Sequence, residues 1–248
     1  MTPTAEAFRA LARSSPWRWT TLHLAHRSSF AGTGEAWLRR PGELVVQAAD
    51  GSQHRTSGLP YSRISVTMSS TPGQAAPPRP EPVLPHRLKP VLPHQATPLL
   101  RPDGLVAERP STTDVDYDDP MWVNYSWVAM LDPVELSHHV AVDRLREDVV
   151  AGRPVWRADL RAEPGYSPRC GGNCCELLWS EAGRISEVAD PADAYLGPGA
   201  DYPDHHDVAL DVGTGVVVRC LPVGGSPDAM WLENDLLEVD VPLDSAFA

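Results

Sequence analysis

The chain has 248 residues, 42% of them apolar and 22% charged, which is enough apolar material for a sizeable core. Its net charge of −12 excludes a general nucleic-acid or anionic-membrane binder, because neither polyanion attracts such a chain at long range. No run approaches the ~20 apolar residues that span a bilayer, and the opening MTPTAEAFRALARSSPWRWTTL lacks the basic-then-apolar order of a secretory leader. The expectation is one cytoplasmic domain with no stable membrane insertion, whose cysteines are thiols by default.

Residues 4–14 predict a short helix, capped by Thr4, with Phe8, Leu11 and Ala12 on one face. Trp17–Arg27 reads as a strand with bulk on both sides, so neither side is plainly the solvent face. Gly34–Arg40 and Glu43–Ala49 follow as strands around a Pro41-Gly42 turn. Asp50-Gly51 is a two-residue hairpin signal, and Ser52–Thr56 can return as a third strand.

Residues 71–102 contain ten prolines and repeat Pro-Val-Leu-Pro-His at 82–86 and 90–94. Proline at this density removes ladder donors and favours an extended excursion between strands. The spacing of His86 and His94 gives no geometric support for a metal. Leu105–Arg109 is expected to restart the sheet, and DVDYDD at 114–119 reads as a solvated acidic loop without the pattern of a calcium loop. Trp122–Leu131 is aromatic and apolar. Asp132 is placed to cap a short helix over Pro133–His138, with proline at its first position.

Further strands are expected at Val140–Val149, Val155–Leu160 and Glu176–Trp179. In the second, Trp156, Ala158 and Leu160 alternate with Arg157 and Asp159, the pattern of a sheet with one wet face. Residues 181–206 read as a polar loop, including the His and Asp residues of DYPDHHD at 201–207. Asp207–Asp240 closes the chain as a β-meander, and Leu243–Phe247 predicts a final helical turn.

This order resembles the lipoprotein-carrier (LolA-like) superfamily. The matching pieces are WTTLHLAHR, the GEAWLRRPGELVVQAADG pair, MLDPVEL at 130–136, and ALDVGTGVVVRCLP with MWLENDLLEVD. Asp211, Thr214 and Gly215 stand where such proteins have an aspartate-x-x-threonine-glycine strand turn. The resemblance implies a mainly β (α+β) fold. It would be one curved antiparallel sheet forming an incomplete barrel, with an N-terminal helix and short helices on the concave side. Such carriers have an export signal that this chain does not show, so the chain looks like a cytosolic, actinobacterial-type relative.

Two candidate sites follow. The eight tryptophans fall mostly in predicted strands. In the implied half-barrel, Trp19, Leu22, Leu24, Trp37, Trp127, Trp156 and Trp231 are candidates to line an apolar cavity for a hydrophobic small molecule, a lipid or a protein segment. The second site is RCGGNCC. Cys170, Cys174 and Cys175, with Cys220 and His205 or His206, offer the ligand types of zinc, a disulfide, or thiols without a role. No cofactor is otherwise expected. The G-x-S-x-G, G-x-G-x-x-G and Walker A patterns are missing. The sequence therefore points to a binding protein rather than an enzyme, with a protein–protein regulatory module or a thiol- or zinc-dependent function as alternatives.

Overall fold

The computed structural model describes residues 3–57, 91–112, 114–169, 175–186 and 201–248. Helix α1 spans Ala5–Ser14, and Thr4 Oγ1 caps it by accepting from the Ala7 amide at 3.1 Å. Its apolar stripe, Phe8, Leu11 and Ala12, is wholly buried. A 3₁₀ turn over Ser15–Trp17 follows, with proline inside it, so Trp17 and Trp19 precede the first strand instead of belonging to it.

The strands are β1 (Thr21–Ser28), β2 (Gly32–Arg39), β3 (Glu43–Ala48), β4 (Gln53–Ser57), β5 (Leu99–Leu100), β6 (Val106–Glu108), β7 (Val140–Val150), β8 (Arg153–Ala162), β9 (His205–Asp211), β10 (Val217–Val223) and β11 (Leu232–Val239). The helices after α1 are α2 (Tyr125–Leu131), α3 (Glu181–Ser186) and α4 (Asp244–Phe247). Nine strands form one antiparallel sheet in the order β4-β3-β2-β1-β11-β10-β9-β8-β7. It consists of two meanders joined where β1 pairs with β11, Leu24 opposite Leu236 and Ser28 opposite Leu232. The sheet is curved and does not close into a barrel. Its edge strands, β4 and β7, are separated in the chain by β5, β6 and α2.

Period-2 alternation decides the faces. Leu22, Leu24, Ala36, Leu38, Leu44 and Val46 point inward, and register places Leu22 opposite Leu38 and Leu38 opposite Leu44. Trp156, Ala158 and Leu160 join them from β8, as the alternation predicts, and α1 and α2 cover this face to complete one core. The outer face carries a cross-strand row of charges. Asp148 meets Arg157 at 2.8 Å, Arg157 meets Asp207 at 2.5 Å, Arg219 meets Asp207 at 2.8 Å, and Glu233 joins Arg219 at 2.7 Å and Arg27 at 3.6 Å. Alternating signs on neighbouring strands keep this face soluble and in register.

Several local expectations are corrected by tertiary packing. Among the described residues Val106–Glu108 pairs only with Leu99–Leu100, in a separate two-stranded ribbon. Glu176–Trp179 is not a strand, and Glu181–Ser186 is a helix where a loop was expected. His205–Asp207 belongs to β9, so His206 and Asp207 are buried instead of solvated. The aromatic run at 122–131 contains α2, and most of the tryptophans lie outside strands. Asp132 caps nothing with its side chain. The 3₁₀ turn Val134–Ser137 has no side-chain cap, and the Asp132 carboxylate takes Arg109 and Arg169 instead. Of the proline-rich segment, residues 71–90 lie outside the described residues. The rest supplies a bridge from Val91 to Val115, a 3₁₀ turn at Pro93–Gln95, and β5. Among the described residues no helix is long and apolar enough to cross a membrane.

Candidate functional site

With the inner face of the sheet filled, a cleft of about 430 Å³ opens at the core's edge where α1 hands over to β1. Four segments build it: residues 16–20, the Arg40–Gly42 turn between β2 and β3, Leu92–His94, and the acidic loop Asp116–Asp119, with Asp240 at the rim.

The 3₁₀ turn throws Trp17 sideways. Its indole Nε1 donates to the carbonyls of Pro93 at 2.7 Å and Ala96 at 3.1 Å, which pins the proline-containing segment against the wall. Tyr117 meets Trp17 edge-on at 5.7 Å, a favoured aromatic geometry. The Tyr117 hydroxyl donates to the Pro110 carbonyl, and burial pushes its pKa up to about 12. Trp19 lies deeper, with Nε1 donating to Ser15 Oγ at 3.1 Å. The Arg40 guanidinium stacks on the Trp19 ring at 3.3 Å, grips Asp119 with two bonds of 2.8 and 2.7 Å, and donates to the carbonyls of Ser15 and Trp19. Planar, five-donor arginine satisfies all of these partners at once.

The acidic loop is therefore not the solvated loop its composition suggests. Asp119 is buried in the Arg40 pair. Asp118 accepts from the Tyr125 hydroxyl at 2.6 Å and pairs with Arg169 at 3.0 Å. Beneath it, Asp132 is fully enclosed between Arg109 and Arg169. Burial works to raise its pKa, but the two guanidiniums outweigh it and hold the carboxyl below the usual range. Asp240 accepts from the Thr20 amide and hydroxyl at 2.6 and 2.9 Å. Asp116 differs from the others: among the described residues its carboxylate accepts only the Asp118 amide at 3.1 Å, and burial raises its pKa.

The seven cavity candidates are not brought together. Trp19 alone lines this cleft. Leu22, Leu24 and Trp127 are fully enclosed core residues. Trp156 borders a second cavity of about 490 Å³ between β7 and β8, alongside Val149, Pro154 and Val212. Trp37 lies on the outer face, stacked on His23 at 4.7 Å. Trp231 sits just before β11, where its carbonyl accepts from the Ser29 amide. The residues that do line the cleft, Trp17, Tyr117, Asp116 and Arg40, carried only weak local signals. Trp17 was a tryptophan on an assumed strand, and the rest meet across up to 77 residues of chain.

Cys170 and Cys174 lie outside the described residues. Cys175 is buried, and its carbonyl accepts from Ser126 Oγ. Cys220 is buried on β10, donates to the Leu177 carbonyl at 3.3 Å, and has its thiol pKa raised by burial. His205 faces Asp159 at 3.2 Å on the outer side, whereas His206 points into the core. Among the described residues no three His, Cys, Asp or Glu side chains converge as a metal group would require. No protein-family profile, curated protein or solved structure matches the chain.

Proposed function

We propose that the chain is a non-enzymatic binding protein of the lipoprotein-carrier type, which holds an apolar ligand or protein segment at the rim of its half-barrel. The observation that carries this is the 430 Å³ cleft walled by Trp17, Trp19 and Tyr117, which lies within the size range of small-molecule sites. The inner face of the sheet is occupied by α1 and α2, so the ligand sits at the mouth and not along the whole concavity. The ring edges of Trp17 and Tyr117 and the Pro93 ring supply apolar contact at little entropic cost, because hydrogen bonds and packing already fix them. A cytoplasmic setting is part of this reading, and in it the enclosed Cys220 stays a thiol.

Titration of the full chain with the neutral fluorophore diphenylhexatriene tests this. The expected result is one saturable site with energy transfer from tryptophan, lost in Trp17→Ala while thermal unfolding stays cooperative. A second variant, His94→Trp, fills the cleft from its exposed wall and is expected to block the probe without touching the core. Non-saturable binding, or binding indifferent to both substitutions, would overturn the proposal.

A further inference from the structure

We propose that the cleft selects a small organic ammonium ion, an apolar body bearing a positive group, with Asp116 as its countercharge. This rests on the binding reading above and names its ligand class.

Charge complementarity argues for it. Four carboxylates line the cleft, Asp116, Asp118, Asp119 and Asp240, against the two guanidiniums of Arg18 and Arg40. Neither guanidinium is available to an incoming anion. Arg40 is closed by Asp119, two carbonyls and the Trp19 face. Arg18 is turned away onto the carbonyls of Gly213 and Val212, at 2.8 and 3.0 Å. Among the carboxylates, Asp119 and Asp118 have arginine partners, and Asp240 is held by Thr20 and Thr21. Among the described residues Asp116 has no cation within ion-pair distance; it is half-buried beside the like charges of Asp118 and Asp119, which Arg169 offsets in part from farther away. A positive group placed there relieves that repulsion in a medium of low effective dielectric, where one charge contact is worth far more than in water. Its apolar body then lies against Trp17 and Tyr117, whose rings already accept the Arg109 guanidinium at 5.8 and 5.0 Å. These rings thus tolerate cations as neighbours.

A matched probe series tests the charge separately from the apolar body: diphenylhexatriene, its trimethylammonium derivative and its carboxylate derivative, titrated against the full chain. The ammonium probe is expected to bind about tenfold more tightly than the neutral one, and the carboxylate probe more weakly than either. Asp116→Asn keeps the oxygen that accepts the Asp118 amide and removes the charge. It is expected to bring the ammonium and neutral probes to equal affinity with unfolding unchanged. Equal affinity of the three probes for the native chain overturns the inference and leaves the apolar-ligand reading standing. A preference that survives Asp116→Asn overturns the role of Asp116. Failure of all three probes overturns both proposals.

Discussion

Asp132 shows how far a residue's role lies from its local signal. Its neighbour Pro133 makes it look like a helix cap, a decision taken over three residues. The structure instead uses it as the shared partner of Arg109 and Arg169, which lie 23 and 37 residues away, and leaves it no solvent exposure. Replacing one member of a buried ion cluster strands the charges that remain. Asp132→Asn is therefore expected to cost about 3–5 kcal/mol, read as a fall in the urea midpoint at unchanged slope. A loss below about 1 kcal/mol, the range of exposed pairs, would show that the cluster carries no such strain. His206 is the opposite case. Its Nε2 is buried with no hydrogen-bond partner among the described residues, and its neighbours across the strands are Leu160 and Pro222. A leucine of similar size removes the unmet polar atom, so His206→Leu is expected to raise stability at neutral pH by about 1–3 kcal/mol.

At the scale of elements, the turn between β9 and β10 repeats at atomic level the pattern visible in the sequence. Asp211 Oδ1 accepts from the Thr214 amide at 2.7 Å and its hydroxyl at 2.9 Å, and the Gly215 amide closes the turn on the Asp211 carbonyl at 2.8 Å. Arg153 of β8 holds the same carboxylate, so the turn is tied to the neighbouring strand. Gly215 has φ +76°, and a Cβ there would sit 2.8 Å from the Leu11 carbonyl. The turn thus seats α1 on the sheet through a position that only glycine fills without strain. Gly215→Ala is expected to cost at least about 2 kcal/mol, measured by chemical denaturation. A neutral result would mean that α1 can move away freely. The aspartate, threonine and glycine were legible because their bonds are local. The contact with α1 was not, because it joins positions more than 200 residues apart.

For the whole molecule, the consequence of one continuous core is acid sensitivity. His26 and His206 are both enclosed, and burial lowers their pKa from 6.5 to about 4. The folded state therefore rejects a proton that the unfolded chain accepts. Their stability is fully present above pH 6.5, falls as pH drops from 6.5 to about 4, and changes no further below that. The loss approaches ~3 kcal/mol for each group across the window. Glu135 acts in the other direction. It is enclosed with bonds from the Tyr166 hydroxyl and the amides of Arg169 and Leu177, and burial raises its pKa, so its protonation offsets part of the loss. Comparing wild type with His206→Leu cancels that contribution. The urea midpoint of the variant is expected to fall less steeply between pH 6.5 and 4.5 than that of wild type, the widening gap between the two curves being the His206 contribution, and parallel curves would refute the assignment.

The class of fold was legible in local sequence: a capped N-terminal helix, alternating strands, tight turns at Asp50-Gly51 and Gly213–Gly215, and a closing meander. These rest on short-range periodicity and turn chemistry, which a window of ten residues contains. Long-range packing set which side of β1 faces inward, the pairing of β1 with β11, and the folding of the acidic loop at 114–119 onto Arg40 and Arg169. Each of these depends on partners brought together by the closing of the core. For that reason the seven apolar residues expected to line one cavity are dispersed: Trp19 lines the cleft, Trp156 borders a second cavity, and the others lie in the core, on the outer face or in a loop. The cleft was assembled instead from a tryptophan in a 3₁₀ turn, a proline-containing segment and a group of carboxylates that sequence alone would leave in water.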